Sequence, residues 1–251
     1  MKLKVLFLSA LTILIATTAM AQDLADEVDL FMGVHGNSNC VIGPQLPHGS
    51  VNPSPDTPKG GQKGYDENDK IRGFSQLHVS GIGWSRYGQI LLSPQNGFSA
   101  KETGHDSPKA NEIAKPYRYA VTLTRYGIRT ELSPTHHGVS YRFTSNKPNN
   151  NNILLDLRHN IPQDIVPIVK GTFNGGEINY NEKQRLISGY GIYAGGFGSK
   201  QPYRVYFAMK IDDPNATVTI TNNDTKALYA KIGVKAKTVN AIIAISMSSV
   251  R

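Results

Sequence analysis

Tyr203-Arg204-Val205-Tyr206-Phe207-Ala208-Met209-Lys210-Ile211 decides the fold class. Its bulky residues fall at 203, 205, 207, 209 and 211, the two-residue period of an extended strand with one buried face. The same alternation recurs upstream, where Tyr119, Val121 and Leu123 alternate with Ala120, Thr122 and Thr124. The turn Tyr126-Gly127 then leads into Ile128, Thr130 and Leu132, a hairpin pattern. Val139, Tyr141 and Phe143 continue it, Asn149 to Asn152 reads as a polar loop, and Ile153 to Leu157 as a buried strand. Val218 to Thr221, Leu228 to Ile232 and Ala241 to Met247 complete the set. Many short strands with turn signals between them, and almost no helical period, predict an all-β antiparallel β-sandwich. No internal repeat is visible.

The segment from Gly33 to Gly97 differs in kind. Gly43-Pro44, Leu46-Pro47, Pro53, Pro55, Pro58, Gly60-Gly61, Gly64, Gly73, Gly81, Gly83 and Gly88 interrupt it every few residues. Proline removes backbone donors and glycine adds chain entropy, so the expectation here is a long irregular segment. It also holds Asn39, His48, Asp56, Tyr65, Asp66, His78, Ser80, Trp84 and Tyr87. Long loops held by fixed turns present functional groups from a rigid scaffold, although a tightly wound inert connection would have the same composition. Trp84 and Tyr87 could cover the apolar face of a pyranose, while His78, Asn39 and Asp66 could bond its hydroxyls. Gly81 and Gly83 would let backbone approach such a ligand closely. Taken alone, Trp84 reads equally as core filling, and His78 reads more readily as a satisfied structural histidine.

The N-terminus sets an expectation for compartment. Lys2 and Lys4 precede an uncharged apolar run from Val5 to Ala16, and Ala19-Met20-Ala21 offers a small-x-small cleavage pattern. Residues 1–21 therefore read as a signal peptide, with the mature domain spanning residues 22–251. The run is too short for a permanent membrane anchor. The expected destination is the bacterial periplasm or the medium. The net charge of +8 falls to +6 without the two lysines of that segment. The basic residues are scattered singly, which with export argues against nucleic acid as a partner. A single cysteine, Cys40, excludes an internal disulfide and reads as a small buried hydrophobe rather than a nucleophile. The acidic groups Asp66, Glu67 and Asp69, and Asp212 with Asp213, read as solvated turn residues.

Several of these stretches together resemble the N-terminal domain of family 92 glycoside hydrolases. Asp29-Leu30-Phe31-Met32-Gly33, Gly43-Pro44 with Leu46-Pro47-His48-Gly49, and Asn52-Pro53-Ser54-Pro55-Asp56-Thr57 are similar to the opening of that family. Gly64-Tyr65-Asp66 and Ile71-Arg72-Gly73-Phe74-Ser75-Gln76-Leu77-His78-Val79-Ser80-Gly81-Ile82-Gly83 resemble its most specific stretch, commonly Gly-Phe-Ser-His-Thr-His-Leu-Ser-Gly-Thr-Gly. The likeness continues weakly through Tyr117–Leu132, Leu186–Tyr190 and Tyr203–Met209. Gln76 stands where the family usually has the first histidine of a His-x-His pair, and Val34 where threonine is usual.

The resemblance implies a supersandwich-like fold, with His78, Gly83, Trp84 and, more weakly, Asn39 facing the sugar. It also implies the family activity, an exo-acting, inverting α-mannosidase assisted by Ca²⁺, with its active site between the sandwich and an (α/α)₆ barrel. Inversion needs a general acid and a base that activates water, with carboxyls about 6.5–9.5 Å apart. In the family both come from the barrel, so the chain by itself is expected to be inactive and to hold no metal. A mannose-containing glycan and a catalytic barrel encoded downstream are the expected partners. A free-standing carbohydrate-binding module is the alternative, and a purely structural or adhesive sandwich is a third.

Overall fold

The computed structural model describes residues 24–35, 38–79, 87–161, 171–196, 201–223 and 225–249. Fourteen strands among them form two antiparallel sheets. In chain order they are β1 (Ser54–Asp56), β2 (Gly73–Ser75), β3 (Leu91–Asn96), β4 (Lys109–Lys115), β5 (Arg118–Leu123), β6 (Ile128–Pro134) and β7 (Gly138–Ser145). The second half of the chain gives β8 (Asn151–Asp156), β9 (Thr172–Asn181), β10 (Leu186–Ala194), β11 (Tyr203–Ile211), β12 (Thr217–Asn223), β13 (Ala227–Val234) and β14 (Thr238–Ser246). The six-stranded sheet runs β1-β2-β3-β8-β13-β12, and the eight-stranded sheet runs β4-β5-β6-β7-β14-β11-β10-β9.

The alternation read from the sequence sets which face is buried. In β11 Val205, Phe207 and Met209 point into the core, and in β14 Val239, Ala241, Ile243 and Ile245 do so. Across the sandwich Ile153 and Leu155 of β8 and Leu228, Ala230 and Ile232 of β13 complete the same core. Phe74 lies between the ring of Tyr119 at 6.3 Å and that of Tyr141 at 6.5 Å, so one aromatic cluster joins β2 to β5 and β7. Ring pairs at this separation add to the area they bury.

Three expectations need correction. The Gly/Pro-rich segment is not wholly irregular, since it contributes β1, β2 and β3 to the six-stranded sheet. Its prolines fit because of where they pair. Pro55 sits on β1, the sheet edge, and Pro94 pairs with Ile153 while β2 meets β3 only at Phe74 and Leu92. A missing N–H is tolerated where no second neighbour needs it. Asn151 and Asn152 belong to β8 rather than to a loop. Their amides bond the Lys147 and Gly97 carbonyls, each at 2.9 Å, so polar side chains are satisfied inside a strand end. Cys40 is exposed. Its N–H closes a turn onto the Gly33 carbonyl at 3.0 Å, which keeps it on the surface while Val41 and Ile42 go into the core.

The acidic turn residues divide as well. Asp213 is buried, not solvated, and its carboxylate accepts from the N–H groups of Asn215, Lys235 and Ala236. Those bonds outweigh the upward push of desolvation and hold its carboxyl below the usual range. β9 and β4 carry too polar a pattern to be read from the sequence, and both are edge strands of the larger sheet. An edge strand needs only one partner and can stay polar.

Candidate functional site

The motif stretches meet at a buried carboxylate. Asp56 ends β1, and its side chain is fully enclosed. Its Oδ1 lies 2.8 Å from His78 Nε2 and its Oδ2 lies 3.0 Å from His159 Nε2. His78 Nδ1 faces the Asn52 carbonyl at 2.8 Å, and the Asn52 amide returns a bond to the His78 carbonyl at 3.0 Å. A carbonyl and a carboxylate both accept only, so both His78 nitrogens must carry hydrogen for these contacts to be hydrogen bonds. Asp56 and His78 therefore form a buried ion pair, with His159 on the second carboxylate oxygen. Desolvation pushes the Asp56 carboxyl up, but the charge and hydrogen bonds of the two imidazoles prevail and hold it well below the usual carboxylate range.

Ser75 Oγ is 3.3 Å from the same Nε2 of His78. A serine nucleophile, base and orienting acid would use opposite ring nitrogens, so these three residues are not a hydrolytic triad. Their arrangement braces rather than reacts.

Gly64 shows how tightly the group is packed. It adopts φ 81°, and a Cβ there would sit 2.6 Å from Asp56 Oδ1 and 3.1 Å from His78 Nε2. Only glycine combines that left-handed backbone with that approach. Thr57 N–H bonds the Gly64 carbonyl at 2.8 Å, which folds the Gly64–Tyr65–Asp66 stretch back onto β1.

Gln76 is buried and fully bonded. Its Nε2 donates to the carbonyls of Phe74 and Ile90, both at 3.0 Å, and its Oε1 accepts from the Tyr141 hydroxyl at 3.0 Å. Two donors and one acceptor on a single group suit an amide, whereas a neutral imidazole offers one of each. Gln76→His is thus expected to destabilise the domain by about 1–3 kcal/mol, the penalty for one orphaned buried group. Urea unfolding of the two proteins checks this, and an unchanged midpoint would refute it. Ile90, whose carbonyl Gln76 holds, has φ 60°. A β-branched residue in that region is strained, and the surrounding bonds must impose the conformation.

These residues surround the base of the segment that the sequence singled out. Gly83 and Trp84 lie outside the described residues. The flanks of 80–86 are described: Gly88 N–H bonds the Leu77 carbonyl at 2.8 Å, and Ile161 N–H bonds the Tyr87 carbonyl at 3.1 Å. These two bonds hold the described flanks together, Leu77 to Gly88 and Tyr87 to Ile161, close in sequence to His78 and His159. Tyr87 and Tyr203 are half-buried there, ring to ring at 6.5 Å, and Tyr203 lies 6.0 Å from Tyr193. Gln89 Nε2 bridges the Tyr203 hydroxyl and the Asn160 amide oxygen. Of the residues proposed from sequence, His78 is inside this group with its ring fully enclosed. Asn39 is half-buried on the N-terminal segment, which Lys63 Nζ ties down through the Val34 carbonyl. His159, Asn160 and Tyr203 were not singled out, because their only signal is proximity across about a hundred residues of chain.

Among the described residues no three His, Cys, Asp or Glu side chains converge to hold a metal ion.

The fold and the site define an antiparallel sandwich that encloses a carboxylate held by two imidazoles. The sequence pattern of the glycosyl hydrolase family 92 N-terminal domain matches residues 27–247, and the chain belongs to that family. A family GH92 α-mannosidase from Bacteroides thetaiotaomicron, solved in complex with mannoimidazole, matches with a TM-score of 0.76 at 26% identity. That match covers 90% of this chain and 33% of the mannosidase. A GH92 inverting mannosidase from Bacteroides thetaiotaomicron VPI-5482 matches with a TM-score of 0.67 at 23% identity, over 90% of this chain and 32% of its own. A further GH92 family glycosyl hydrolase shares the fold, with a TM-score of 0.72 at 18% identity, covering 88% of this chain and 32% of that one. The chain thus spans about a third of the length of these solved relatives. No curated protein matches it.

Proposed function

We propose that the chain is the carbohydrate-contacting N-terminal domain of an exported family 92 α-mannosidase, acting on mannose-containing glycans and lacking the catalytic acid and base. The observation that carries this reading is the place of the family's most specific stretch, Gly73 to Gly83. Its described part, 73–79, folds around the Asp56–His78 ion pair, and Gly88 on the far side of segment 80–86 bonds back to Leu77. A buried pair of this kind fixes backbone position, and a sugar-contacting loop needs such a fixed base. The contacts to sugar would come from Trp84, Gly83 and their neighbours, with His78 supporting them from below. Ca²⁺ and both catalytic carboxylates would belong to a separate (α/α)₆ domain.

Two measurements on the chain test this. With acid and base absent, hydrolysis of an aryl α-mannoside should not exceed background, since each is worth about 10²–10⁴-fold. Turnover that disappears on mutation of one carboxylate of this chain would refute that part. Trp84→Ala should abolish weak mannoside binding while leaving the melting midpoint within a few degrees of the parent. A core tryptophan would instead cost about 3–5 kcal/mol on truncation. His78 is a poorer probe, because its ring is enclosed and its loss would disturb Asp56 before any ligand is involved.

A further inference from the structure

Beyond the loop end, a separate cavity of about 230 Å³ opens where the chain leaves β8, between the 3₁₀ turn at Glu102–Gly104 and the turn joining β12 to β13. Its volume lies below the ~300–1,000 Å³ of drug-sized pockets, which limits it to one small ligand. Two histidines line it, and both are more than nine-tenths buried: His105 is 1% and His159 5% exposed.

Each has one nitrogen engaged and one without a hydrogen-bond partner among the described residues. His105 Nδ1 faces the Arg72 carbonyl at 2.9 Å and Ser93 Oγ at 3.2 Å. The carbonyl only accepts, so Nδ1 carries the hydrogen and Nε2 is left as a bare acceptor. Burial favours this neutral ring by pushing its pKa down. His159 gives Nε2 to Asp56, which leaves Nδ1. The charged groups of the lining are largely neutralised. Arg158 is paired with Asp156 at 2.6 Å and with the Lys226 carbonyl at 2.9 Å, and Glu102 is paired with Arg72 at 2.8 Å.

We infer that this cavity binds an uncharged polyhydroxyl molecule no larger than a monosaccharide, with one hydroxyl donating to His105 Nε2 and another hydrogen-bonding His159 Nδ1, since a hydroxyl can donate or accept there. Glu102 and Asp156 are balanced in the lining by Arg158 and Lys226, so these four groups give no net charge that would select an ion. A metal ion would need a third ligand, and no such set converges among the described residues. A hydroxyl suits an acceptor nitrogen that opens into a small cavity and has no partner from the protein, because it can donate there without bringing a charge into the site. The inference does not depend on how segment 80–86 meets a glycan.

The test is a titration of the chain with glycerol and with mannose, read on the imidazole resonances of His105 and His159 and on the melting midpoint. Saturable shifts of both histidines with at least one of the two, and a raised midpoint, are expected. Both effects should vanish in His105→Phe, which fills the ring's place without an acceptor, and in Thr225→Trp, which obstructs the mouth from an exposed turn. Trp84→Ala should leave them intact, which separates this cavity from the loop end. The inference is overturned if neither polyol gives a saturable shift, if the shifts survive Thr225→Trp, or if Zn²⁺ alone produces them. Should His105→Phe fail to fold, Thr225→Trp decides by itself.

Discussion

Asp56→Asn is expected to lower stability by about 3–5 kcal/mol, because it removes one member of a buried charged pair and strands the other. The asparagine keeps the shape but cannot neutralise the His78 imidazolium, which already gives its second nitrogen to the Asn52 carbonyl. For a domain of this size that corresponds to a fall of roughly 6–20 °C in melting midpoint. Glu27→Gln, an exposed change, should move it by less than a degree or two. The parent protein should also lose stability in acid in a specific window. The folded Asp56 carboxyl lies below its unfolded value of about 3.9, so the unfolded chain takes up the proton first. The stabilisation is therefore complete above about pH 5 and is lost as pH falls from there toward the folded value. Subtracting the Asp56→Asn profile from the parent profile isolates that contribution. A variant within about 1 kcal/mol of the parent at neutral pH would mean that the pair is not ionised.

Phe74→Ala should be about as damaging, at about 3–5 kcal/mol, by a different route. Phe74 is fully buried between Tyr119 and Tyr141 and supplies the single register pair, with Leu92, that joins β2 to β3. Its carbonyl also accepts from Gln76, so collapse of the cavity would shift the strand that delivers Ser75 to His78. The loss should appear as a lower denaturant midpoint with an unchanged slope. Ile242→Ala removes a similar apolar side chain that is 49% exposed, and should alter stability by no more than about 0.5 kcal/mol. If the two variants behaved alike, the aromatic cluster would not be the support of the motif.

Part of the site was legible because it is local. Gly73 to Gly83 carries its residues within one short stretch, and His78 could be picked out on motif alone. Gln76 could be flagged as a departure, but not explained. Its three bonds go to Phe74 two residues away, to Ile90 fourteen away and to Tyr141 sixty-five away, and only the first is visible in sequence. The bulge-tolerant, polar edge strands β4 and β9 escaped for a related reason. A strand with one neighbour and much exposed surface is under little pressure to alternate.

By itself the sequence determined the two-sheet architecture, because burying one face of a strand forces a two-residue period that survives in the composition of each strand. It also determined the family resemblance, through short motifs read without reference to space. The tertiary structure alone decided that Asp56 is the centre of the group and that His159, 103 residues further on, completes it. An aspartate in Pro55-Asp56-Thr57 looks like any turn acid until the sandwich closes and removes its water. Burial then makes the unpaired charge unfavourable, and the two imidazoles that neutralise it are set by the pairing of β1, β2, β3 and β8, which no local pattern records.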